Sequence, residues 1–319
     1  MKHVIALDVG GTGMKAALVG ADGTLLYEAR RDTGRDRGPD AVVAAILDFA
    51  EELAAEGRRR FGEAPAAAGV AVPGIVDDAK GVAVFSANIG WRDVPFRALL
   101  GERLGGVPVA LGHDLRTGGL AEGRIGAARG VDRYLFIALG TGIAAGIGIE
   151  GRIEPGAGGA SGEIGHIIVR PGGIPCGCGQ SGCLERYASA SAVGLAWAEA
   201  SGNPDATAAD CARAVEAGDD RAVEVWQTAV GILADGLLTG ITLLDPAAIV
   251  VGGGLAEAGD TLFVPLRKAV ADRIAFQNRP EIIPAELGDA AGCLGAGLLA
   301  WDLLAAPSLE ESQHTEVTA

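Results

Sequence analysis

Two stretches of this chain echo one another. VIALDVGGTGMKAALV (residues 4–19) and LFIALGTGIAAGIGI (residues 135–149) each read as an apolar strand, a Gly-Thr-Gly turn and a second apolar strand. Duplication of such a unit calls for two similar domains, with the two turns facing one another across a cleft. Any two buried hairpins look somewhat alike, so the rest of the chain has to decide between duplication and coincidence. A length of 319 residues, 49% of them hydrophobic, is enough for two cores.

The pattern between and beyond the echoes is that of an α/β protein. HVIALDV (3–9), MKAALVG (14–20) and GTLLYEAR (23–30) predict a three-strand meander across Gly-rich and Asp-Gly turns. A helix follows from about Pro39 to Arg60, with Val42, Ala45, Ile46, Phe49 and Leu53 on one face. AAAGVAVPGIVDD returns as a buried strand ending in a Pro-Gly turn, and Tyr134–Ile149 reads as a buried hairpin. Three Ala-rich helical stretches occupy about 188–201, 205–217 and 219–244. AAIVVGGGLAEAG is a strand, a Gly-rich turn and a helix start, an arrangement that presents backbone N–H groups to an anion. An apolar helix spans about 290–304, and the tail from Pro307 is polar and loose.

Charge and leader signals narrow the partners. A formal charge of -15 repels a phosphate backbone and an anionic membrane surface. The short run Arg58, Arg59, Arg60 reads as a solvated helix end. MKHVIALDVGG is too short and too soon interrupted by Asp8 for a signal peptide, and Tyr134–Ile149 is short of the ~20 apolar residues of a membrane span. A cytoplasmic protein with neither nucleic acid nor membrane as partner is expected.

Three glycine turns carry the first chemical signal. DVGGTGMK (8–15), LGTGIAAG (139–146) and VVGGGLAEAG (250–259) each strip side chains from a strand end, so that backbone N–H groups can close on phosphate oxygens. Each alone is ordinary turn chemistry; together they favour a nucleotide, with Asp8 placed where magnesium needs an anionic partner. No G-x-x-x-x-G-K-[ST] run exists, and the G-x-G-x-x-G match at Gly177–Gly182 lies between cysteines and neither follows a strand nor opens a dinucleotide site.

The second signal is GEIGH (162–166) followed by CGCGQSGCLE (176–185). His166, Cys176, Cys178 and Cys183 supply three thiolates and one imidazole, a closed tetrahedral set for structural zinc. A free-thiol loop or a disulfide is the competing reading. The third signal is Asp114, in GHDL after the apolar VPVAL. It would stand at the carboxyl end of a strand, as a general base for a hydroxyl attacking a phosphoryl group or as a plain helix N-cap.

DVGGTGMKAALV, GEIGH and CGCGQSGCLE together resemble the ROK family of sugar kinases, repressors and related open reading frames, over residues 3 to 304. The resemblance is nearest to bacterial glucokinases. It implies an actin-like (ribonuclease H-like) ATPase fold, two α/β domains around a central cleft. The expected division is a small domain 1–114 joined by the C-terminal helix 290–304, a large domain 115–289 carrying a zinc loop 163–185, and a flexible tail 305–319. It implies a homodimer or dimer of dimers. Asp114 would be the base taking the proton of a hexose 6-hydroxyl. Asn88, His113, Glu163, His166 and Glu185 match sugar-contact positions, so that His166 would bridge zinc and sugar. Asp8, Gly10, Gly11, Thr12, Lys15, Thr141, Gly142, Gly253 and Gly254 resemble the contacts to ATP and its magnesium.

Three residues depart from the family pattern. His113 stands where kinases of the family usually carry Asn, which puts the identity of the sugar in question. Leu115 and Arg116 replace a small residue and Asn, adding a cation near the rim of the sugar site. Gly13 stands where many glucokinases of this type have Lys, as it does in polyphosphate-using relatives, although the zinc cluster resembles that of the ATP users. The implied function is transfer of the γ-phosphate of ATP to the 6-hydroxyl of a hexose, glucose first. The alternatives are a kinase of an amino or N-acetylated hexose such as kanosamine or N-acetylmannosamine, or a non-catalytic sugar-sensing member. A repressor is disfavoured because the first glycine hairpin begins within ten residues of Met1.

Overall fold

The computed structural model describes residues 1–305, so the tail expected at 305–319 lies outside the described residues from 306 on. The chain divides into two compact units, Met1–Gly118 with the described residues from Gly292 onward, and Gly119–Ala291.

In the first unit β1 (Val4–Val9), β2 (Gly13–Val19) and β3 (Leu25–Asp32) form the expected antiparallel meander. Helix α1 (Pro39–Phe61) begins on Pro39, whose missing N–H costs nothing in a first turn, and buries Val42, Ile46, Phe49 and Leu53. Its last turn carries the three arginines, with Arg59 and Arg60 both paired to Glu56. β4 (Ala68–Val72) follows, then a small antiparallel sheet of β5 (Ile75–Asp77), β6 (Val82–Phe85) and β7 (Arg92–Val94), which the residue pattern did not announce. After α2 (Phe96–Arg103) come β8 (Val109–His113) and α3 (Asp114–Ile125), inside which the chain passes to the second unit.

The second unit contains β9 (Arg133–Leu139), β10 (Ile143–Ile149), β11 (Arg152–Ile153), α4 (Glu185–Ala188), α5 (Ala190–Ser201), α6 (Ala208–Glu216), α7 (Asp220–Leu244), β12 (Ala248–Gly252), α8 (Asp260–Ala271) and β13 (Glu281–Pro284). The segment after the third glycine turn is a 3-10 stretch, Gly254–Ala258, ahead of α8. Helix α9 (Ala291–Ala305) returns the chain to the first unit.

The echo between the two hairpins extends to the whole sheets. The first has strand order β3-β2-β1-β4-β8 and the second β11-β10-β9-β12-β13. In each, two antiparallel pairings are followed by two parallel ones. The central strands are covered on both faces, which is why they read as unbroken apolar runs. Along β1, Ile5, Leu7 and Val9 pack in one cluster with α1 and Leu100, while Val4 and Ala6 pack in another with Ala296 and Ala300 of α9. In the second unit Leu135, Ile137 and Leu139 of β9 share a core with Trp226, Leu233 and Leu237 of α7. Among the described residues α7 is the one helix long and apolar enough to cross a membrane, and half of its apolar window is buried in this core.

Candidate active site

In the first unit, Asp8 lies near the end of β1 directly opposite Lys15 of β2, so both side chains leave the same face of the sheet. A Cβ on Gly292 would collide with Asp8 Oδ2; position 292 is glycine because that carboxylate sits against the start of α9. Beside it, burial pushes the Cys293 thiol up to about 12, with the Asp8 charge adding to the effect.

The turn Gly10–Thr12 closes with the Gly10 N–H donating to Gly13 O at 2.9 Å. Thr33, fully buried, holds it from behind: its hydroxyl donates to Gly10 O at 2.7 Å and its N–H to Thr12 O at 3.0 Å. A Cβ on Gly11 would meet nothing within 4 Å, so that side of the turn is open. A Cβ on Gly13 would sit 3.6 Å from Arg31 O, an ordinary contact, so packing does not require glycine there.

His113 ends β8 and Asp114 begins α3. Asp114 Oδ1 accepts the Leu115 N–H at 2.7 Å and lies 3.2 Å from His113 Nδ1. Arg116, expected from the sequence near the rim of the sugar site, is buried. It is 5% exposed, and its Nη2 lies 3.3 Å from Asp78 Oδ1, on the turn after β5. A buried guanidinium needs such a carboxylate, and burial raises the Asp78 carboxyl above its usual range against the pull of Arg116. Asn88 is exposed on the turn between β6 and β7 and makes no hydrogen bond to His113 or Asp114 among the described residues.

In the second unit the turn at Thr141 and Gly142 is tied to the segments after the cysteines. Gly140 O accepts the Ala190 N–H at 2.9 Å, and Glu185 Oε2 accepts the Ile143 N–H at 3.0 Å. Gly253 has φ 84, and a Cβ there would fall 2.6 Å from Leu139 O, so only glycine lets the third turn pass so close to the end of β9. Thr141 and Gly254 line one cavity of about 860 Å³, whose other walls include Trp226, Leu255, Ala212 and Glu257. A largely apolar slot bounded by two glycine turns suits a flat heterocycle carrying a phosphate chain.

His166 and the three cysteines form a cluster whose ligand atoms all lie within 4.8 Å of one another. Cys178 and Cys183 sulfurs are 3.6 Å apart, and Cys176 Sγ is 3.7 Å from His166 Nδ1. Sulfurs around a tetrahedral zinc are about 3.8 Å apart, given a metal–sulfur distance of about 2.3 Å. All five cysteines are free thiols. Burial pushes Cys183 up to about 12, and a backbone hydrogen bond at Gln180 holds exposed Cys178 below the usual thiol range. The donor set therefore fits a thiophilic metal ion. The other imidazole nitrogen, His166 Nε2, is 3.9 Å from Glu163 Oε2, so this histidine faces the cysteines with one edge and an acidic side chain with the other.

The sequence matches the family model "ROK family" over residues 4–302. The chain belongs to the ROK family. A glucokinase of Thermotoga maritima is 34% identical over 92% of this chain and 95% of its own. Among solved structures, a ROK hexokinase from Thermus thermophilus is 33% identical with a TM-score of 0.83, covering 95% of this chain and 99% of that one. A ROK glucokinase from Streptomyces griseus, solved in complex with glucose and AMPPNP, is 31% identical with a TM-score of 0.79 over 94% and 99% of the two chains. The fold of this ROK protein is accordingly the actin-like ATPase fold.

Thr33 and Asp78 were not among the sequence candidates. Thr33 is 23 residues from the turn it braces, and Asp78, at the end of GIVDD, is 38 residues from the Arg116 it pairs with.

Proposed function

We propose that this ROK protein is a kinase that transfers the γ-phosphate of ATP to the 6-hydroxyl of a hexose, with glucose the first substrate. The observation that carries it is likeness over nearly the whole chain to glucokinases, one of them solved with glucose and an ATP analogue. Asp114, at the start of α3, takes the proton of the hydroxyl as its oxygen attacks phosphorus. Asn88, Glu163, His166 and Glu185 hydrogen-bond the sugar. The cavity lined by Thr141 and Gly254 receives the nucleoside, and Gly10, Gly11, Thr12, Lys15, Gly142 and Gly253 serve the phosphates.

Magnesium, when bound with ATP, would neutralise charge on the transferring phosphates. Asp8 would hold it through water, with Lys15 alongside. His166, Cys176, Cys178 and Cys183 would hold zinc as a structural ion; with four protein ligands no position remains for water, and its role is to order the sugar-side loop. His166 would offer Nδ1, the nitrogen nearer Cys176, to the ion, leaving Nε2 on the side of Glu163. The protein is read as cytoplasmic and as a homodimer or dimer of dimers, which light scattering checks.

The test is a panel of hexoses, including glucosamine, kanosamine and N-acetylmannosamine, with ATP or polyphosphate and magnesium, coupled to detection of ADP and of sugar phosphate. Glucose with ATP is expected to give the highest kcat/KM. No turnover with any member would sink the reading, and a preference for an amino or N-acetylated sugar would move it to the second substrate class.

A further inference from the structure

His113 has two roles open to it in the kinase reading, on which this inference rests: a contact to the sugar, or a contact to the base. The observed geometry is that of the second. Its Nδ1 lies 3.2 Å from Asp114 Oδ1. Nδ1 is buried and stands at ion-pair distance from that oxygen without the alignment of a hydrogen bond; a carboxylate only accepts, so the contact is attractive when Nδ1 carries a proton. Oδ1 also receives the Leu115 N–H at 2.7 Å. Both contacts fall on one oxygen, which leaves Oδ2, on the far side of the carboxylate, to receive a proton from substrate.

The ring is mounted rigidly. His113 pairs with Val72 across the parallel β4–β8 ladder, and its carbonyl accepts the Thr117 hydroxyl from the first turn of α3. The His113 side chain is 12% exposed against 32% for Asp114, so the acid is the more accessible of the two. Charged groups near the ring include Asp114 and Asp78, the latter in turn beside Arg116. Asp78 is engaged by buried Arg116, and Asp114 is the carboxylate at ion-pair distance from the imidazole.

We infer that His113 is a positioning residue that fixes the rotamer of Asp114 through Oδ1 and so presents Oδ2 as the base. A base held by the Leu115 N–H and by a protonated imidazole nitrogen at ion-pair distance keeps its productive orientation, and a misplacement of about 1 Å costs up to roughly a hundredfold in rate.

The test separates this role from sugar contact. His113→Phe keeps ring volume and removes the donor; His113→Asn restores an N–H donor. Expected for His113→Phe is a kcat lower by about 10- to 100-fold with hexose KM changed less than about threefold, and for His113→Asn a kcat recovered about tenfold. A raised KM with kcat retained in His113→Phe would overturn the inference in favour of sugar contact. Equal kcat losses in both variants would overturn it in favour of packing alone. A readout independent of turnover is the 15N-imidazole spectrum of the four-histidine chain. His113 should show a protonated Nδ1 that reverts to the Nε2–H tautomer in Asp114→Ala, and an Nε2–H tautomer indifferent to that change would refute it. Wild-type protein inactive on every hexose would remove the kinase reading, while the spectrum would still decide for or against the His113–Asp114 contact.

Discussion

Asp114→Asn is the perturbation on which the chemistry turns. An amide at this position keeps an oxygen for the Leu115 N–H, which Asp114 Oδ1 now accepts at 2.7 Å, and places an NH2 where Oδ2 stood. That group donates where the carboxylate accepts, so the base is lost while the start of α3 stays in place. A positioned general base is worth about 10²- to 10⁴-fold in rate, or about 2.7 to 5.5 kcal/mol of barrier at about 1.36 kcal/mol per decade. The side chain is only partly buried, so the stability change should stay below about 1 kcal/mol. Initial rates of ADP release give kcat, and calorimetric titration gives sugar affinity. The expected outcome is a kcat lower by the factor above with glucose affinity within about threefold of wild type. A kcat unchanged within about threefold would refute the role of Asp114 as base.

Three further outcomes follow from the two units. Metal analysis should find about one zinc per chain, and Cys178→Ser or prolonged chelation should weaken sugar binding by at least about tenfold; zinc-free protein with full sugar affinity would contradict this. Thr33→Val removes a buried hydroxyl from Gly10 O, for a loss of about 1 kcal/mol and a fall in Tm of about 2–4 °C. Thr33→Ser should melt near wild type, and equal melting of all three proteins would refute the brace. Gly253→Ala puts a methyl 2.6 Å from Leu139 O at φ 84, so it should destabilise by more than about 1 kcal/mol and weaken AMPPNP binding; wild-type melting and affinity would speak against the close approach.

The parts of the fold legible in the residues were those dictated locally. The β1 and β9 runs are apolar because both faces are covered, and the i, i+4, i+7, i+11 spacing of Val42, Ile46, Phe49 and Leu53 fixes α1. Likewise, the ligand types from His166 to Cys183 announce a metal cluster before any coordinates. What escaped was non-local or locally contradictory. The β5–β7 sheet is built of strands of three or four residues with Asp77, Arg92 and Asp93 among them, too short and too charged for alternation to register. Helix α8 carries Pro265 inside it, and β13 ends on Pro284, so each holds a residue that ordinarily argues against its element. The burial of Arg116 could not be read locally because the carboxylate that makes it tolerable is 38 residues earlier.

The α9 layer sets a schedule for synthesis. Val4, Ala6, Ala17 and Val19 are sealed on one side by Cys293, Ala296 and Ala300, which are among the last described residues to leave the ribosome. At roughly 5–20 residues per second, the meander, finished at Asp32, waits roughly thirteen to fifty seconds with that face uncovered until Cys293 is made. A released chain truncated before residue 291 should therefore aggregate through that face, where one truncated after 305 should not.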